Sequence, residues 1–121
     1  TGSVPIATQA LGLLALERRE DIIEWVSGRM GPNLEALERF KSVVPGLEWD
    51  EDVRACIAFP RLPEGINGDD FTQRLLKDAQ VRVVPGRFFG MPQGMRIALG
   101  APLDDLRRGL NRIKRELMPL P

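Results

Sequence analysis

The chain has 121 residues, 43% of them hydrophobic, which is enough for one modest domain with its own core. Its 17 basic and 17 acidic residues balance to a formal net charge of +0, which excludes a global field that would recruit nucleic acid or an anionic membrane. A single cysteine excludes an internal disulfide, and no apolar run approaches the roughly 20 residues that span a bilayer. Because no signal segment is recognisable either, we expect a cytoplasmic protein.

The N-terminal third predicts helices. Residues 6–16 form a short helix that is apolar around much of its circumference, and such a helix needs cover on more than one side. Residues 22–30 and 34–44 show amphipathic helical spacing on either side of Gly31 and Pro32. These are either one kinked rod or two separate helices. Because the chain starts at a threonine and leads almost directly into a helix, we expect it to be a piece of a longer protein.

An apolar strand is predicted in the middle of the chain. Residues 47–49 begin a strand, residues 50–52 form an acidic turn, and residues 53–59 have the continuous apolar character of a central strand. The acidic turn lacks the ligand spacing and the glycine of a calcium loop, so we interpret it as a solvated turn. Cys56 has no histidine in the chain to act as its base, so we expect it to be a small buried hydrophobe.

A loop and a helix follow this strand. Residues 60–68 are rich in Pro and Gly, and Arg61, just beyond the strand, is a second candidate anion contact. Asp69 or Asp70 is predicted to cap a helix that ends near Gln80.

The most informative residue is an arginine in the next pair of strands. Residues 81–84 and 94–99 are predicted strands, and in the second one Met95 and Ile97 face one side while Arg96 faces the other. An arginine on an apolar strand is expensive to bury unless an anion meets it, and its planar fork suits a carboxylate. The alternative is an edge-strand arginine whose head reaches water.

The last helix begins after Ala101 and Pro102 and carries an apolar stripe with a basic outer face. Because no aromatic residue interleaves with the basic ones, we interpret that face as solvated rather than as a phosphate-binding surface. The order of elements predicts an α+β fold. We expect a two-layer small domain with about three strands, with helices on one face and a kinked long inter-domain helix before it.

Several motif residues together resemble a known family: Pro85, Gly86, Phe89, Gly90, Gly94, Arg96, Ile97, Gly100 and Pro102. The set is similar to the C-terminal small domain of class I/II, fold-type-I aminotransferases, which depend on pyridoxal phosphate. The resemblance implies that Arg96 holds the α-carboxylate of the substrate. It also implies a helical inter-domain segment, residues 1–44, and a small domain, residues 45–121.

The resemblance also implies what the chain lacks. In this family the cofactor lysine and the phosphate cradle precede the matched segment, and Lys41, Lys77 and Lys114 do not match that lysine. We therefore expect no catalytic, cofactor-binding or metal-binding residue in the chain, no bound pyridoxal phosphate, and no transamination by the chain alone. The implied partners are a large pyridoxal-phosphate-binding domain and an amino acid or 2-oxo acid substrate, in a parent enzyme that is a homodimer. Neither nucleic acid nor membrane is an expected partner.

Two other functions are compatible with the residues alone. In the first, the chain is a stand-alone α+β module, small-acid-binding or regulatory, in which Arg96 holds some other acid. In the second, it is an interaction domain that joins a partner through the helix of residues 6–16. None of these patterns identifies which amino acid the parent enzyme acts on.

Overall fold

The polypeptide alternates helices with short strands. The computed structural model describes residues 2–49 and 56–118. Within these ranges the elements are α1 Ile6–Glu17, α2 Arg19–Val43, β1 Ile57–Ala58, α3 Gly68–Lys77, β2 Val84–Pro85, β3 Met95–Ala98 and α4 Leu103–Leu117. A 3-10 turn, Gly86–Phe89, follows β2. The α+β class is therefore confirmed.

The three strands form one antiparallel sheet in the order β1-β3-β2. Ala58 of β1 lies opposite Ile97, and Val84 of β2 lies opposite Arg96. An isolated bridge between Arg61 and Gly94 continues the register of β1 against β3. The strand that carries Arg96 is thus the central one, held by a neighbour on each side.

The core lies on one face of this sheet. Met95, Ile97 and Leu99 point into it from β3 and its extension, and all three are buried. The helices supply the other core side chains, among them Leu37 and Phe40 from α2, Phe71 and Leu75 from α3, and Leu106, Leu110 and Ile113 from α4. Arg96 and Ala98 alternate with the buried strand residues and are more exposed, which confirms the two predicted faces of β3 and the helices on one side.

Helix α2 runs without interruption through Pro32, so the prediction of one rod holds over the alternative of two separate helices, and the kink stays a prediction. Its two halves have different surroundings. Residues 2–29 are exposed, whereas Ala36, Leu37 and Phe40 of the C-terminal half are buried in the core. Packing of this second half stabilises the helix beyond the proline, whose ring removes one backbone donor and crowds the carbonyl of the preceding turn.

Strands β1 and β2 are shorter than the sequence predicted. Of the predicted strand 53–59 the structure shows Ile57–Ala58 as β1, at the edge of the sheet rather than at its centre, and residues 50–55 lie outside the described ranges. Of residues 81–84 only Val84 is in β2. The Val81 amide donates to the Leu75 carbonyl at 2.9 Å, so this segment is held to the end of α3 before it joins the sheet.

Three local predictions are wrong. Asn67, not Asp69 or Asp70, caps α3, because its Oδ1 accepts hydrogen bonds from both of their amides. The helix ends at Lys77, and Gln80, at φ 53°, is part of the turn that follows. Cys56 is exposed rather than buried, since the strand it precedes is an edge strand with one face open.

Two negative findings apply to the described residues. No helix among them is long and apolar enough to cross a membrane. Residues 2–49 and 56–118 also contain no group of three or more His, Cys, Asp or Glu side chains that could hold a metal ion.

Candidate functional site

Arg96 occupies the middle of the central strand on the side away from the core. Its neighbours Met95 and Ile97 are anchored in the core, so the backbone beneath Arg96 is fixed. The register places Val84 opposite it on β2 and Phe59 opposite it on the extension of β1. A rigid strand is a precise support for a side chain that must meet a ligand in one orientation.

Two aromatic rings lie beside this arginine. The Arg96 Cζ atom is 5.4 Å from the centroid of the Phe89 ring, which is within the range of a cation–π contact. The Phe89 ring in turn meets the Phe59 ring edge-on, with centroids 5.6 Å apart. We call the surface formed by Phe59, Phe89, Gly94 and Arg96 the arginine face.

The Arg96 guanidinium has a hydrogen-bond donor that no other described residue uses. Its Nε atom is buried and has no hydrogen-bond partner within the part of the chain that the structure describes. A buried donor left without a partner costs about 1–3 kcal/mol. A carboxylate that accepted two hydrogen bonds from the exposed part of the guanidinium would neutralise its charge in one contact.

The loop that carries Phe89 is closed by its own backbone. The Gly86 amide donates to the Gly94 carbonyl at 2.8 Å, and the Gly94 amide donates to the Met91 carbonyl at 2.8 Å. A Cβ atom at Gly86 would overlap the carbonyl oxygens of Met91 and Gly94. Gly90 has a φ of +72°, which side chains rarely tolerate. The predicted motif therefore builds a compact loop that returns the chain to β3.

Gly94 has a different role in the same loop. A Cβ atom there would overlap the aromatic ring of Phe59. The absence of a side chain lets the Phe59 ring pack against the start of β3, where it also contacts the ring of Phe89. The contacts thus run from Gly94 through two aromatic rings to the guanidinium of Arg96.

The loop is also joined to helix α3. Arg87 Nε lies 3.0 Å from Asp69 Oδ1 in the first turn of that helix, and the Arg87 guanidinium stacks on Phe88 with its Cζ 4.3 Å from the ring centroid. A Cβ atom at Gly68 would overlap the Pro92 carbonyl oxygen. These contacts hold the loop against α3, while Phe89 contacts Arg96.

Arg61 is close to this site along the backbone. Its bridge with Gly94 places it, by strand alternation, on the same side of the sheet as Arg96. Its side chain is exposed and lies 3.6 Å from Glu48 Oε2. A second anion contact at Arg61 stays a prediction, and it would compete with Glu48 for the guanidinium.

Phe59 is the member of the arginine face that the sequence did not single out. It stands in an apolar run where one aromatic residue looks like any other core residue. The available signal was the glycine in the partner strand, because an aromatic ring often packs over a strand glycine.

The three lysines of the chain lie on or at the ends of helices, whereas pyridoxal phosphate requires a free amine near a phosphate cradle. Lys41 Nζ is 2.9 Å from Glu38 Oε1 and 5.4 Å from the Trp49 ring centroid, so it is already engaged. Lys114 lines an apolar groove between α2 and α4 with Ala36 and Phe40, and Lys77 is exposed at the end of α3. None of the three lies on the arginine face.

No protein-family model matches the chain. Curated relatives do. The aspartate aminotransferase of Bacillus sp. (strain YM-2) is 26% identical over 121 residues, which cover 95% of this chain and 31% of that protein. The aspartate aminotransferase of Bacillus subtilis (strain 168) is 32% identical over 78 residues, which cover 60% of this chain and 20% of that protein. The chain therefore spans about a third or less of the length of these relatives.

Solved structures extend the comparison to the fold. A Methanococcus jannaschii protein, described as similar in its active site to kynurenine aminotransferases, matches 96% of this chain and 31% of its own, with 26% identity and a TM-score of 0.81. A pyridoxal-phosphate-dependent aminotransferase from Streptococcus suis matches 89% of this chain and 29% of its own, with a TM-score of 0.79. Its identity of 22% shows a likeness of fold alone.

Proposed function

Since the homologues and structural neighbours of this chain are pyridoxal-phosphate-dependent aminotransferases of fold type I, we propose that it is the C-terminal small domain of such an enzyme and that Arg96 binds the α-carboxylate of the substrate. The observation that carries this proposal is a guanidinium on the central strand, on the side away from the core, whose buried Nε has no hydrogen-bond partner among residues 2–49 and 56–118. The parent enzyme would transfer an amino group from an amino acid to a 2-oxo acid.

The contribution of Arg96 to that reaction is orientation. Two parallel hydrogen bonds to a carboxylate fix its plane, and with it the bond from the substrate Cα to hydrogen. The partly exposed ring of Phe89 and the ring of Phe59 would line the approach to Arg96, so that water is displaced when a substrate docks. Pyridoxal phosphate supplies the electron sink in such enzymes. Because the lysines of this chain do not fit it, the cofactor is assigned to the remainder of the parent, and the chain alone is expected to be inactive.

The remainder of the parent is also the proposed partner of the N-terminal segment. Large apolar side chains are exposed along α1 and the first half of α2, among them Ile6, Leu11, Leu16, Ile23 and Trp25. An apolar surface of this extent favours a contact with another folded body. In this proposal residues 1–44 connect a large domain to the small domain of residues 45–121, and α2 transmits movement between them. A homodimeric and cytoplasmic parent is part of the same proposal.

The test is a kinetic comparison in the full-length parent. Arg96→Leu should lower kcat/KM for the amino acid by roughly 30- to 1,000-fold, which corresponds to the loss of about 2–4 kcal/mol when one partner of a charged pair is removed. Arg96→Lys should retain part of the activity, because it keeps the charge without the fork. Arg108→Leu is the matched control, since Arg108 is an exposed arginine of α4 that pairs with Asp105. An unchanged kcat/KM for Arg96→Leu would refute the proposal.

A further inference from the structure

Asn33 is a polar residue of α2 that lies in the core. Only 2% of its surface is exposed, and it follows Pro32 directly. Its Nδ2 atom donates hydrogen bonds to the carbonyl of Leu99 and, at 2.8 Å, to that of Ala101. One side-chain amide thus holds the two carbonyls on either side of Gly100.

The contact lies where α2 enters the core. All residues from 2 to 29 are exposed, and Asn33 is the first buried residue of the helix. Four and seven residues later, Leu37 and Phe40 continue the same buried stripe. Asn33 therefore marks the boundary between the free half of α2 and the half that belongs to the small domain.

The contact also lies at the end of the strand that carries Arg96. Leu99 is three residues beyond Arg96 on the extension of β3, and its side chain is fully buried. Gly100 is exposed, and a Cβ atom added there would meet nothing within 4 Å. The Asn33 amide thus restrains the segment between β3 and α4, which Gly100 would otherwise make flexible.

We propose that Asn33 is a positioning residue: it fixes the end of β3 to α2 and so sets where the Arg96 guanidinium lies relative to that helix. The proposal rests on the carboxylate-binding role of Arg96. If α2 connects the small domain to the rest of the parent, a rotation at Pro32 is passed through this amide to the strand. Arg96 then moves with the helix rather than independently of it.

The chemistry of the side chain fits this role. Two carbonyl acceptors need two donors, and a neutral amide nitrogen supplies both from one atom. An aspartate of the same size would turn a carboxylate oxygen towards two carbonyl oxygens. A leucine would fill the space and leave both carbonyls without this donor.

The experiment uses the full-length parent and a ratio that reports on the carboxylate. The first probe is the amino acid, among the standard twenty, that the parent converts fastest. The second probe is the amine that has the same side chain but lacks the α-carboxylate. The carboxylate discrimination ratio is the single-turnover rate with the amino acid divided by the rate with the amine. Asn33→Asp and Asn33→Leu should each lower this ratio by about tenfold, by displacing Arg96.

Controls separate positioning from stability. Thr72→Val removes a partly buried hydrogen bond elsewhere, from the buried Thr72 Oγ1 to the Asp69 carbonyl, and should lower Tm while the ratio stays unchanged. In an Arg96→Leu background, Asn33→Asp should lower the ratio no further, because the two residues act through one contact. If Asn33→Asp and Asn33→Leu prevent folding, Asn33→Ser replaces them in the experiment. Because serine keeps one donor, this variant should lower the ratio by a smaller factor.

The outcomes distinguish the two proposals. If Arg96→Leu lowers the ratio while the Asn33 variants lower only Tm, the positioning role is wrong and the role of Arg96 stands. Additive losses in the double variant would also overturn the positioning role. If Arg96→Leu itself leaves the ratio unchanged, both proposals are overturned.

Discussion

The guanidinium carbon of Arg96 lies 5.4 Å from the centroid of the Phe89 ring. The strand fixes only the backbone of Arg96, so this ring is the described contact that restrains its long side chain. Phe89 is held in turn by the edge-on ring of Phe59. The orientation of a candidate substrate-binding arginine therefore depends on residues from three separate segments of the chain.

Removal of the Phe89 ring should weaken substrate binding without removing the charge. A cation–π contact at a partly exposed site contributes about 0.5–1 kcal/mol, so Phe89→Ala should raise KM of the parent for its amino acid by roughly two- to fivefold. Phe88→Ala is the matched control, since Phe88 is adjacent, is more exposed, and stacks on Arg87 instead. Equal effects of the two substitutions on KM would contradict a role for the Phe89 contact.

The contact of the Phe59 ring with Phe89 depends on the absence of a side chain at Gly94. Gly94→Ala places a methyl group in the space of the Phe59 ring and should lower the free energy of unfolding by about 1–3 kcal/mol. Gly100→Ala adds the same methyl group in open space and should change it by less than about 0.5 kcal/mol. Urea denaturation of the chain measures both. A Gly94 variant as stable as the Gly100 variant would show that the ring can move aside.

The N-terminus of α3 provides a test of the local structure. Asn67 Oδ1 accepts from the amides of Asp69 and Asp70 at 2.9 and 3.1 Å, so Asn67→Ala should lower the free energy of unfolding by about 1 kcal/mol. Asp70→Ala removes only a favourable charge in the first turn and should cost about 0.3–0.5 kcal/mol. The same denaturation assay applies. If Asp70→Ala lowered the free energy of unfolding more than Asn67→Ala, the capping role of Asn67 would be contradicted.

Periodicity in the sequence was sufficient for the larger elements. The alternation of Met95, Ile97 and Leu99 with Arg96 predicted both faces of β3, and the stripe of α4 predicted its packing, because each pattern is local. Arg96 stood out as a candidate because a charge in an apolar strand needs a partner.

What the sequence did not predict depends on long-range contacts. The ring of Phe59 meets Phe89 only through the register of β1 against β3, and β2 begins late because Val81 bonds to the end of α3. The sequence analysis did not single out Asn33, although it stands four residues before Leu37 in the buried stripe. A polar residue at such a position becomes informative once its acceptors, two carbonyls more than sixty residues away, are known.

The most direct test of the central claim is the carboxylate discrimination ratio of the full-length parent with and without the Arg96 guanidinium. If this guanidinium receives the substrate carboxylate, Arg96→Leu should lower the ratio by roughly 30- to 1,000-fold, through slower turnover of the amino acid and with little change for the amine. A ratio equal to that of the wild type, in a variant with wild-type Tm, would contradict the account.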